Sequence, residues 1–394
     1  MSTSPSPTDD SGTFSFVAFC KAYEEACEAN GGVKPKRAVH EALEKSSSGS
    51  PVELPGNALR LFNSRLRPND LQAILQALKA CDFKITSLNL SCNELGDEGA
   101  AILSRELEDD ACTIQELNLA SNGIGSKGCI KLADVVRENA SLLSLNLNGN
   151  PIGKAGGMAI SRMIHSNTSL QSIDIGNTEQ NTDSIVAIAI ELHTNASITR
   201  ANLDNPRLFS FYEETTKHIA RMLRVNETLV ELSLEKHNIR DDGVRIIGEC
   251  LREAKRSKLA SLNLRCNQIS FGGAHRVADL LTDATNLQRL NLENNRIRDE
   301  GARAIGRALA LNCNLTHLNI SCNGIRDKGL SAIANGMHQN ASIVELKLWA
   351  NAFGPLSSEQ FYGLVEGRFK YYCVSTDIEP YKSEDGVVQV ARRV

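Results

Sequence analysis

The amino-acid sequence predicts an α/β solenoid of about eleven strand–helix repeats, with a parallel sheet on a concave face and helices on a convex face. Three observations predict it. An apolar pattern with a fixed asparagine returns every 28 to 31 residues. Each copy divides into a short alternating stretch and then a run of helical spacing, such as Cys129, Leu132, Ala133 and Val136. No copy can bury its apolar half alone, so neighbours must stack. The repeat also overrides the two or three domains that 394 residues would otherwise suggest at roughly 100 to 200 residues per domain.

Residues 1–13 are rich in Ser, Pro, Thr and Asp and read as a disordered tail. Residues 14–55 read as a helical N-terminal cap and loop. Phe16, Phe19, Cys20 and Tyr23 share one helix side, Asn30-Gly31-Gly32 breaks the run, and a second helix follows from Pro35 to Leu43. Ser46 to Pro51 reads as an exposed loop.

The repeats occupy 56–370. A worn copy starts at Gly56, with Leu59, Leu61 and Leu66. The first full copy is Ile85, Leu88, Leu90, Asn93, Leu95, and the second is Ile114, Leu117, Leu119, Asn122, Ile124. Repeats three to ten start at Leu142, Leu170, Ile198, Leu229, Leu259, Leu287, Leu315 and Ile343. Asp97, Ser126, Asp241, Asp299 and Asp327 stand where each helix begins and are expected to cap it, with a glycine two residues later. Asn139, Asn167, Asn195, Asn226 and Asn340 fall three residues before a copy and are expected in left-handed turns. Residues 371–394 read as a C-terminal cap, with Asp385-Gly386 turning into a strand over Val387 to Val390.

These copies resemble the leucine-rich-repeat proteins, and their long 28-residue form with Leu-Asn-Leu strands resembles the ribonuclease-inhibitor and RanGAP type. The resemblance implies a horseshoe solenoid that binds other macromolecules, usually proteins, through its concave face or edge loops. Asp377-Ile378-Glu379-Pro380-Tyr381 with Asp385-Gly386 is similar to tails on some leucine-rich-repeat proteins of cilia and testis.

The ninth position of each copy forms an asparagine ladder: Asn93, Asn122, Asn150, Asn267, Asn295, Asn323 and Asn351. Its amides are expected to pair backbone groups freed as each strand turns away. Repeats four to six break the ladder with Thr178, Pro206 and His237, and Phe209, Phe211 and Tyr212 fall in an insertion of repeat five.

The remaining residues argue against chemistry. Eleven cysteines, an odd number without a Cys-x-x-Cys pair, point to reduced structural thiols, and Cys92, Cys266 and Cys322 precede ladder asparagines on separate repeats. Gly153-Lys154-Ala155-Gly156-Gly157 lacks the spacing of a phosphate loop. No catalytic residue, metal or cofactor is expected. With 43 basic and 47 acidic residues, a net −4, the chain lacks the basic footprint of general nucleic-acid binding. No run of about 18 apolar residues is present for membrane insertion, and the N-terminus lacks a signal-peptide order. A cytoplasmic protein is expected, with a ciliary or flagellar axoneme as the location that the tail resemblance suggests.

Alternation sends positions three, five and seven outward on the strands. Position five is nearly uniform, from Asn89 to Lys347, so the information lies in the others. Early repeats are small and neutral there. Later ones carry Arg200, Asp204, Glu231, Glu235, Arg265, Arg289, Glu293, Glu345, Lys347 and the single tryptophan, Trp349. These ten residues are the candidate protein-binding face, centred on Trp349 across repeats six to ten, since Trp and Arg are frequent interface anchors. The expected function is a non-catalytic scaffold for a protein partner, without a small-molecule substrate, within a larger assembly. A GTPase-activating protein of the RanGAP type is the alternative, which the absence of a long acidic tail disfavours.

Overall fold

The computed structural model describes residues 16–44, 52–53, 65–208, 213–283 and 286–393. The N-terminal tail, the Ser46–Pro51 loop, most of the copy starting at Gly56, and Phe209, Phe211 and Tyr212 lie outside the described residues. The chain forms two compact units, Met1–Glu191 and Leu192–Val394.

In the first unit, α1 (Phe16–Ala29) and α2 (Arg37–Glu44) precede β1 (Val52–Glu53) and α3 (Pro68–Ala80). Strand and helix then alternate through β2 (Ser87–Asn89), α4 (Gly96–Leu107), β3 (Glu116–Asn118), α5 (Ser126–Val136), β4 (Ser144–Asn146), α6 (Gly153–Ser166), β5 (Ser172–Asp174) and α7 (Thr182–Leu192). Strands β1 to β5 pair in chain order, all parallel. The first helices form as their apolar spacing demands. Phe19 and Tyr23 are fully buried and stacked at 5.6 Å, and α1 packs on α3, covering the first repeat.

The second unit continues the alternation: β6 (Arg200–Asn202), α8 (Glu214–Val225), β7 (Glu231–Ser233), α9 (Asp241–Glu253), β8 (Ser261–Asn263), α10 (Phe271–Thr282), β9 (Arg289–Asn291), α11 (Arg298–Leu311), β10 (His317–Asn319), α12 (Asp327–Gln339), β11 (Glu345–Lys347) and α13 (Pro355–Leu364). A π-helical turn (Val365–Phe369) and α14 (Lys370–Tyr372) lead to β12 (Ser375–Thr376), which adds to the parallel sheet beside β11. The chain closes with an antiparallel hairpin, β13 (Ile378–Lys382) and β14 (Val388–Arg392), packed on α13. Gly386 turns the hairpin at φ +79°.

In each unit parallel strands alternate with helices as in the leucine-rich-repeat solenoid that the sequence predicts. Even strand positions such as Leu88, Leu145, Leu262 and Leu318 are at most 1% exposed, so the core lies between sheet and helices.

Two expectations about the repeat joints need correction. Asp97, Asp241, Asp299 and Asp327 do not cap their own helices. Each carboxylate instead caps the helix of the following repeat: Asp97 accepts from Gly125 N (2.7 Å) and Gly128 N (2.9 Å), Asp241 from Ser270 N (2.7 Å), Asp299 from Arg326 N (2.6 Å) and Asp327 from Ser357 N (2.7 Å). The reason is geometric. The Asp lies inside the first turn of its own helix, at N1 or N2, so its side chain points sideways to the neighbour's orphan amides. Ser126 differs again and donates its hydroxyl to Ile152 O at 2.7 Å. The glycine of the following helix makes room for this contact, since a Cβ on Gly273 would stand 2.5 Å from Asp241 Oδ1.

Nor do Asn167, Asn226 and Asn340 adopt left-handed backbones. They end their helices extended, with φ of −74°, −65° and −72°. Their amides form a second ladder: Asn167 Nδ2 donates to Val136 O, Asn226 Nδ2 to Leu192 O and Asn340 Nδ2 to Leu309 O, each within 2.8 Å. Asn139 Nδ2 reaches Leu107 O in the same way at 2.9 Å.

Candidate protein-interaction face

The open face of the sheet is built on a floor of ladder side chains hydrogen-bonded to the backbone. Each ladder asparagine closes one joint. Asn295 Nδ2 donates to Leu264 O of the preceding repeat (3.0 Å) and to its own Leu292 O (2.9 Å), while its Oδ1 accepts Ile269 N (3.1 Å). Asn122, Asn150, Asn267 and Asn323 repeat the same donor pair. His237 holds this position in repeat six. Its Nε2 donates to Leu203 O at 2.8 Å, and its Nδ1 is buried without a partner among the described residues. Desolvation by burial pushes its pKa down to about 4.

The uniformity of position five has a structural cause. Asn89, Asn118, Asn146, Asn202, Asn263, Asn291 and Asn319 each accept the N–H two residues on, fixing the strand exit. Two repeats lack this acceptor, and both borrow one. The Ser233 hydroxyl donates to Asp204 at 2.6 Å, and the same Asp204 oxygen accepts Glu235 N at 2.7 Å. Lys347 carries no acceptor, so Asp377 from the C-terminal segment accepts Leu348 N (2.7 Å) and Trp349 N (3.1 Å). Asp377 therefore had a structural task that its short sequence motif did not disclose.

Above this floor the candidate residues of the second unit pair with one another. Arg289 on β9 reaches over Ser261 of the intervening strand β8 to Glu231 on β7, at 2.5 Å. Arg265 lies between Glu235 and Glu293, 3.2 Å from each. Burial opposes the charge on Arg265, but the two carboxylates outweigh it and hold its pKa above the ordinary value. Glu293 also accepts Asn319 Nδ2 at 3.0 Å, and Lys347 lies 3.3 Å from Glu345. Arg200 is exposed, and Trp349 is half-buried, with its backbone pinned by Asp377. Trp349 thus stands neither fully open nor wholly beneath the cap. Outward positions of the first unit, such as Ser91, Ala120, Asn148 and Gly176, offer no comparable relief.

Among the described residues, no group of three or more His, Cys, Asp and Glu side chains gathers to hold a metal. Cys92, Cys266 and Cys322 sit at left-handed positions, φ 60°, 55° and 54°, one on each of three separate repeats. No helix among the described residues is long and apolar enough to cross a membrane.

The family match agrees with this repeat architecture. The family described as Leucine Rich repeat matches residues 82–104, 110–133, 138–161, 225–247, 283–306 and 311–334. Leucine-rich repeat-containing protein 34 of Homo sapiens is 39% identical over 69 residues, 18% of this chain and 14% of its own length. Ribonuclease inhibitor of Mus musculus is 29% identical over 230 residues, 58% of this chain and 43% of its length. The chain therefore spans less than half of either relative. An internalin from Listeria monocytogenes aligns over 92% of this chain and 94% of its own, with 13% identity and a TM-score of 0.43.

Proposed function

The chain is a leucine-rich-repeat protein, similar to ribonuclease inhibitor in its repeats, and we propose that it is a non-catalytic scaffold whose open sheet face in the second unit docks a protein partner. The observation that carries this reading is the arrangement on β7 to β11: paired charges and a half-buried tryptophan standing above the asparagine ladder. Paired charges are already oriented, so docking loses less side-chain entropy than it would with free ones. An exchange of ion-pair partners across an interface also selects between partners by charge pattern. The partner is a protein, and the location that goes with this reading is the cytoplasm, with an axoneme as the specific compartment to test by imaging a tagged chain.

The experiment is affinity capture from the native source with the full chain and with the Trp349→Ala/Arg289→Ala double variant. A partner retained by the first and reduced at least tenfold with the second supports the sheet face. Equal capture by both removes that face from the account.

A further inference from the structure

The antiparallel hairpin of β13 and β14 has two outer edges, and they are built differently. Its register sets Ile378 against Arg392, Pro380 against Val390 and Lys382 against Val388. The bonds at its two ends, Arg393 N to Asp377 O and Ser383 N to Val387 O, are 2.9 Å each and fix the phase. In a regular antiparallel pair, bonded residues alternate with unbonded ones. Ile378, Pro380, Lys382, Val388, Val390 and Arg392 therefore turn their backbone groups away from the partner strand. The side chains of Ile378, Pro380 and Val388 are buried on the face that packs on α13, which leaves the edges as the unfinished sides.

The β13 edge is protected. Ile378 N donates to the Thr376 hydroxyl at 3.4 Å, Pro380 has no N–H, and Lys382 puts a cation at the end of the row. The β14 edge has no such device. Val388-Gln389-Val390-Ala391 carries neither proline nor charge, and among the described residues β13 is the one strand that pairs with it. Val390 and Ala391 are half-buried and Arg392 is exposed, and Val387 just before the strand leaves 54% of its surface in solvent. Strands β1 and β12 also end a sheet, but at two residues each they are too short to template another chain.

Charge selects the occupant of this edge. It runs from Glu384 and Asp385 in the turn to Arg392 and Arg393 at the strand end, all exposed and without an ion pair among the described residues. The hairpin's other exposed charges, Glu379 and Lys382, stand on β13, one strand spacing further off. An edge that is acidic at one end and basic at the other is complementary to itself in antiparallel pairing and repels itself in parallel pairing. We propose that β14 pairs antiparallel with β14 of a second copy of this chain, joining the two hairpins into one sheet about a two-fold axis near Val390. The Val390 N–H and C=O exchange bonds with their counterparts, and Arg392 and Arg393 of each copy meet the Glu384-Asp385 turn of the other. The inference stands apart from the sheet-face reading, because none of its residues lies on the parallel strands.

The test is sedimentation of the full chain from micromolar to near-millimolar concentration, with hydrogen exchange of the β14 amides at both ends of the range. A monomer–dimer equilibrium is expected, with exchange at Val390 and Arg392 slowed at least tenfold in the dimer. Val390→Pro removes the outward N–H without breaking a bond inside the hairpin and should weaken association at least tenfold. Charge provides a second arm that does not depend on the proline being accommodated. Arg392→Glu/Arg393→Glu and Glu384→Arg/Asp385→Arg should each abolish self-association, and an equal mixture of the two should restore it, because a wholly acidic edge then meets a wholly basic one. A chain that stays monomeric throughout, a dimer whose β14 amides exchange as fast as in the monomer, or charge variants that associate as the parent does would overturn the proposal. So would protection of those amides only on addition of another protein from the native source, which would give the edge to a different partner.

Discussion

Repeats seven to nine and repeat six lie in the same unit and close the same joint with different chemistry. Asn267, Asn295 and Asn323 each use one amide as a double donor and an acceptor, so that backbone groups of two repeats are satisfied by one side chain. At His237 the imidazole makes, among the described residues, only the bond to Leu203 O. The acceptor half of the task has lapsed there because the preceding repeat carries Pro206, which has no N–H, and Leu208 N turns back to Pro206 O at 3.1 Å. The difference teaches that the ladder is a set of obligations owed to the neighbouring backbone, and a residue can change when its neighbour stops asking.

Four perturbations break or sharpen this contrast. The largest effect is expected from Asn295→Ala, which orphans the buried amide of Ile269 and removes one of the two donors to the carbonyls of Leu264 and Leu292, leaving Asn267 and Asn323 as the others. At about 2 kcal/mol for the orphaned amide and about 1 kcal/mol for each carbonyl bond lost, the loss should be about 4 kcal/mol in urea unfolding. Leu264→Ala, at a strand position 2% exposed beside the same joint, should cost roughly 2 to 5 kcal/mol, with about 3 as the central value. An unchanged midpoint would mean that the strand register is misassigned.

The third perturbation is acid, and it should act on repeat six alone. The folded pKa of His237 is lowered to about 4, below the roughly 6.5 of an unfolded histidine. The unfolded state therefore binds the extra proton between these values, so stability is full above pH 6.5 and falls as pH drops towards 4. About 2 kcal/mol should be lost between pH 7 and pH 5, and His237→Asn should remove that part of the slope. A variant with the same acid sensitivity as the parent would place the titrating group elsewhere. The smallest effect is expected from Asp241→Ala, which uncaps the next helix for about 1 kcal/mol, read as a small shift of the thermal midpoint.

Much of this was legible in the sequence. The period, the register of Leu88, Leu117 and Leu145, and the ladder positions follow from spacing alone, because each is enforced within one copy. What stayed hidden depends on partners in the next copy. Asp97 looks like a cap for its own helix until the stacking shows its oxygen on Gly125 and Gly128. Arg289 and Glu231, 58 residues apart, look like independent surface charges, and their pairing follows only because Ser261 leaves the path open.

The aspartate that caps the following helix has a consequence for how such a chain can lengthen or shorten. The bond that finishes one helix is carried by the copy before it, so a functional segment of sequence runs from one aspartate to the next. Removal of the 28 residues from Asp299 to Arg326 would bring Asp327 into register behind the preceding copy and leave every helix start served. A cut of half that length would strand an amide and a carboxylate together. Gain and loss of copies in this molecule is therefore quantised, and the aspartate marks where one module can be spliced to another.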